Sequence, residues 1–91
     1  MNHSMEKLAL TFPGLREASG LDPWDAYKFD LWADGAQVPH SARYAAQFIL
    51  MIWNPEREWD TGGFEAIEAL RCWDAEHRCA FLQWAAEPWW P

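Results

Sequence analysis

Asp74 and His77 stand three residues apart, the spacing at which two side chains on one helix face each other. An aspartate so placed can orient an imidazole for proton transfer. The pair also has a plainer use. Asp74 can cap a helix whose third residue, His77, meets the cap. The capping use is favoured, because nothing completes a catalytic set. The serines Ser4, Ser19 and Ser41 lie outside any strand–turn–helix setting that would present a nucleophile.

Cys72, His77 and Cys79 invite a metal reading, which their spacing opposes. Zinc sites pair cysteines two to four apart on a turn and need four ligands. Cys72 and Cys79 are seven apart, roughly 10 Å along a helix axis. A disulfide would need a sharp bend between them. Two small, semi-buried thiols are expected. Glu56, Glu58 and Asp60 match the acidic positions of a calcium loop, but the glycine, Gly62, falls one place late and Ile67 takes the place of the last ligand. No catalytic, cofactor-binding or metal-ligating residue is assigned, and no cofactor is expected.

Recognition is the other chemistry on offer. Glu56, Glu58 and Asp60 surround Trp59, so this stretch can engage a basic surface with the tryptophan as anchor. The competing and favoured use is a solvated loop with Trp59 folded onto its own domain. Trp89 and Trp90 lie between Pro88 and Pro91. Exposed, they would form an aromatic hot spot or a platform for a sugar ring. Folding back is expected instead, because two exposed tryptophans are a solubility liability. Trp24 and Trp32 are the expected contacts.

Charge narrows the partners. The 91 residues carry a formal net charge of −7. Residues 1–53 hold six acids and four bases, and residues 54–91 hold eight acids and three bases. Direct nucleic-acid binding needs clustered Lys and Arg, and the seven here are scattered. An anionic membrane surface is disfavoured for the same reason. The longest apolar run, Tyr44–Trp53, is half a bilayer's span. The expectation is a soluble, cytoplasmic protein with reduced thiols. Its expected partner is another protein with a basic surface, and a homodimer through the tail is the alternative.

The elements that must position these residues are helical. Tyr44–Trp53 belongs to a central helix over about Ala42–Trp53, capped by Ser41 and ended at Asn54-Pro55. Only Arg43 and Gln47 mark a polar edge, so neighbours should enclose it. Met5–Phe12 fits a short helix or an extended arm, and Pro13 opens a further turn. Asp22-Pro23 signals a helix to Ala33, with stripes Trp24/Tyr27/Leu31 and Ala26/Phe29/Ala33. Phe64, Ile67, Leu70 and Trp73 mark the inner face of a helix over about 63–73. A phase break at Trp73-Asp74 starts the last helix, whose inner face is His77, Ala80, Phe81, Trp84 and Ala85. Trp24-Asp25-Ala26 and Trp73-Asp74-Ala75 look alike through shared helix-start chemistry rather than duplication. The first four residues are read as lying outside the folded unit, and His3 carries no functional weight. One all-α domain of four or five short helices is expected.

Overall fold

The computed structural model describes residues 4–91; His3 lies outside them. Among the described residues there are five α-helices and one 3-10 turn. In order they are α1 (Met5–Leu10), the turn Pro13–Leu15, α2 (Ala26–Ala33), α3 (His40–Trp53), α4 (Ala66–Cys72) and α5 (Ala75–Ala86). The all-α expectation holds, with α3 at the centre.

α3 forms because fourteen residues pass without Pro or Gly. The Asn54 backbone turns extended before Pro55 and ends it. Ala42, Ala45 and Ala46 are buried near its start, where a small Cβ lets neighbouring backbone approach closely. α1, the 3-10 turn, α2 and α4 all pack against it.

Two aromatic clusters flank α3. Phe48 is the hub of one, with ring centroids 5.8 Å from Phe12, 5.3 Å from Phe64, 5.2 Å from Phe81 and 5.2 Å from Trp84. Trp73 joins it through Phe12 at 5.6 Å and Phe64 at 5.9 Å. In the other cluster Trp24 lies 5.4 Å from Phe29 and 5.6 Å from Trp53. Each such pair adds about 0.5–1.5 kcal/mol beyond the apolar area it buries.

Several boundaries depart from the sequence reading. α2 starts at Ala26, not at Pro23, because the Asp25 carboxylate accepts the Tyr27 and Lys28 amides. α3 starts at His40, with Pro39 at the cap position. Ser41 is therefore inside the helix, and its carbonyl accepts the Trp73 indole N–H at 2.9 Å. α4 is only Ala66–Cys72. Trp73 is buried and Phe64 and Leu70 pack half-buried against the core as expected, but Ile67 is 64% exposed and Ala69 is the buried residue of the helix itself. On α5, His77 and Ala80 are buried as expected, but Ala85 is exposed. At the chain start, Ser4 accepts the Lys7 amide and caps α1.

Candidate functional site

The surface built by the N-terminal half of α2 and by residues 54–61 carries the most organised polar chemistry. Its foundation is Asp30. On α2 the buried positions are Ala26, Phe29, Asp30 and Ala33, an i, i+3, i+4, i+7 stripe that faces the core. Asp30 therefore takes a carboxylate into the interior, where it is 4% exposed. A buried charge is tolerated only when its oxygens are satisfied. Oδ1 accepts the Thr61 amide at 2.9 Å and Oδ2 accepts the Asp60 amide at 3.0 Å. Both bonds are charge-assisted, and they tie the loop to α2.

A second tie comes from α3. The Gln47 Nε2 donates to the Thr61 carbonyl at 2.6 Å. Gln47 was expected at a polar edge of α3; the structure buries it to serve this carbonyl. Gln47 Oε1 and Thr61 Oγ1 are buried without a hydrogen-bond partner, a cost set against the two ties. Next to them the chain turns through Gly62 at φ +96°, a conformation that L side chains rarely adopt.

The loop held this way presents the residues that the sequence singled out. Glu56, Glu58 and Asp60 are exposed and Trp59 is half-buried. The Trp59 indole donates to the Asn54 carbonyl at 3.3 Å. Its ring lies 6.0 Å from the Tyr27 ring. The Arg57 guanidinium carbon sits 4.7 Å from the Tyr27 centroid and 4.8 Å from that of Trp59. Trp53, 40% exposed, ends α3 just before the loop, and its ring lies 5.6 Å from that of Trp24. The ion pairs among the described residues are Glu68 with Arg71 and Asp74 with His77, so the loop carboxylates face solvent without an internal cation.

Asp74 and His77 do meet, as a cap. Asp74 Oδ1 accepts the His77 backbone N–H at 2.9 Å and lies 2.8 Å from His77 Nδ1. The backbone bond, then the side-chain bond, holds the Asp74 carboxyl below its usual range. His77 Nε2 accepts the Gly14 amide at 3.2 Å, so the proton sits on Nδ1 and points at Asp74. Both nitrogens are engaged, and His77 is 5% exposed, its ring beside those of Phe12 and Trp73. This arrangement ties α5 to the turn after α1.

Cys72 and Cys79 are free and exposed, not semi-buried, because both fall on the outer faces of their helices. Among the described residues no group of three His, Cys, Asp or Glu side chains is placed to hold a metal ion, and no helix is long and apolar enough to cross a membrane. The tail folds back, but onto α5 rather than onto Trp24 and Trp32. The Trp84 indole donates to the Trp89 carbonyl at 3.0 Å, and the Trp90 ring lies 5.4 Å from Trp84. Trp90 stays 62% exposed.

Sequence reasoning missed Asp30 and Tyr27 as parts of one surface. Asp30 had a legible signal, its place on the Ala26/Phe29/Ala33 stripe. Tyr27 had none, because its partners Arg57 and Trp59 are about thirty residues away. Comparison with protein-family models, with curated proteins and with solved structures finds no match for this chain.

Proposed function

We propose that this protein is a small acidic, non-enzymatic interaction or regulatory protein that binds a basic surface of another protein through residues 54–61 and the adjoining face of α2. One observation carries the reading. The buried Asp30 carboxylate fixes the Asp60 and Thr61 amides, so an exposed acidic loop is held in one shape before any partner arrives. A loop that is already ordered loses less entropy on binding, on the order of 0.5–1.5 kcal/mol for each side chain that need not be immobilised. Glu56, Glu58 and Asp60 supply steering toward positive charge, and Trp59 with Tyr27 supplies an aromatic anchor. The more specific form of the reading is an inhibitor that covers a basic, nucleic-acid-handling surface of its target.

The test is capture on the immobilised full-length chain from lysate of its own cell, eluted in salt steps. The comparison is a Glu56→Gln, Glu58→Gln, Asp60→Asn variant. A partner held by the wild type, released by moderate salt and not retained by the variant is expected. A partner retained equally by both, independent of salt, contradicts the reading. A second reading, a homo-oligomer through the C-terminal end, draws on the exposure of Leu82 and Trp90.

A further inference from the structure

We propose that the notch between the Tyr27 and Trp59 rings is a receptor for the guanidinium of a partner's arginine, and that Arg57 occupies it as an internal stand-in until the partner binds. This rests on the acidic-loop reading and adds to it the group that the partner inserts.

The geometry is that of a cation site on two aromatic faces. The rings are 6.0 Å apart and inclined at 54°. The Arg57 guanidinium carbon lies 4.7 and 4.8 Å from their centroids. These three distances form a triangle, so the cation sits in an open V rather than between closed planes. Both separations fall inside the range at which a ring quadrupole attracts a cation. Tyr27 is 61% exposed and Arg57 is exposed, so an incoming group reaches the notch without any unfolding.

Arg57 fills this site incompletely. Among the described residues its guanidinium donates no hydrogen bond and joins no ion pair. Arginine carries five N–H donors, and here none meets a carboxylate, although Glu56 and Glu58 adjoin Arg57 in sequence. Arg57 reaches the notch from within the same short loop, which limits the orientations its fork can take. An arginine entering from solvent is free of that tether. It can lay its face on the two rings and turn its edge toward the loop carboxylates. The notch also stands without Arg57. Trp59 is held by its bond to the Asn54 carbonyl, and the following residues by Asp30. Arginine is favoured over lysine because its planar cation is weakly hydrated and stacks on aromatic faces, whereas the ammonium holds its water.

The test is an NMR titration of the full-length chain with two end-capped tripeptides, Gly-Arg-Gly and Gly-Lys-Gly, following the Trp59 indole N–H and the Tyr27 ring. Arg57→Ala opens the notch and is expected to bind the arginine peptide about fivefold more tightly than the wild type, the factor set by losing one exposed cation–π competitor of about 1 kcal/mol. It should also prefer arginine to lysine. Adding Tyr27→Ala should abolish the gain, while adding Tyr27→Phe, which keeps the ring face, should retain it. Three results would each overturn the proposal: no gain in Arg57→Ala, equal affinity for the two peptides, or a gain that survives Tyr27→Ala, which would trace it to net charge alone. The salt-step capture leaves Tyr27 and Trp59 intact, so the acidic loop can pass that test while the notch fails this one.

Discussion

Asp30→Ala removes the carboxylate that joins α2 to the loop, and its cost follows from what is left behind. Two charge-assisted bonds disappear, at 2.9 and 3.0 Å, each of a type that contributes about 1.5–3 kcal/mol. The Thr61 amide is buried and stays unsatisfied, so it meets the full penalty. The Asp60 amide belongs to an exposed residue that water reaches once the carboxylate is gone. Removing the charge also removes its own desolvation cost, which puts the sum at the low end, about 3 kcal/mol. A chain of 91 residues has a total stability of roughly 5–14 kcal/mol, so this is a large fraction of it. The corresponding fall in melting temperature is roughly 12–24 °C. Asp30→Asn keeps one acceptor and turns an NH₂ toward the other amide, for about 2 kcal/mol. Urea unfolding followed by far-UV circular dichroism gives the loss, and hydrogen exchange at Thr61 locates it. A loss below about 0.5 kcal/mol, the range of ordinary surface changes, with unaltered Thr61 protection, would refute the anchoring role.

Three further outcomes follow from the cap, the close approach at Gly14 and the tail. The Asp74 pKa is lowered in the folded chain by its bonds from His77. Its contribution is therefore present above the unfolded value of about 3.9 and is lost as pH falls through the lower folded value; urea midpoints should drop below about pH 4 in the wild type and drop less in Asp74→Asn. In Gly14→Ala the new Cβ would meet His77 Nε2 at 3.0 Å and the Ala42 Cβ at 3.1 Å. Forcing α5 away from α3 there should cost about 1–3 kcal/mol in urea unfolding, with an altered His77 ring signal. A chain ending at Glu87 loses the bond from Trp84 to the Trp89 carbonyl and should be less stable by about 1 kcal/mol, yet sediment as the full chain does; a change from oligomer to monomer would instead support the homo-oligomer reading.

Much of the fold was legible because the strongest signals were local. The apolar run Tyr44–Trp53 identified the central helix, and the phase break at Trp73-Asp74 identified the last boundary, with Asp74 as its cap. The likeness of Trp24-Asp25-Ala26 to Trp73-Asp74-Ala75 was also genuine, since Asp25 and Asp74 both cap helices. Asp25, not the Asp22-Pro23 pair read as the start, caps α2. The two polar misses share one physical cause. A lone polar residue in an apolar pattern reads as a solvent edge, but Asp30 and Gln47 are turned inward to meet backbone groups of one distant loop. Helical spacing cannot report a partner fourteen or thirty residues away. The same limit hid the Tyr27–Arg57–Trp59 contact, although the loop carboxylates and Trp59 were legible from composition alone. Ile67 failed for another reason: a three-residue period over one short helix does not say how much of it meets the core.

The central claim is that the partner docks on residues 54–61. A photo-crosslinking amino acid in place of Glu58 tests it most directly, compared with the same group in place of Gln83 on α5. Both positions are exposed, so neither substitution burdens the core. Illumination in the native cell should join one protein to position 58, with less joined as salt rises, and none to position 83. The same partner joined from position 83 and not from position 58 would contradict the account and move the interface to α5 and the tail.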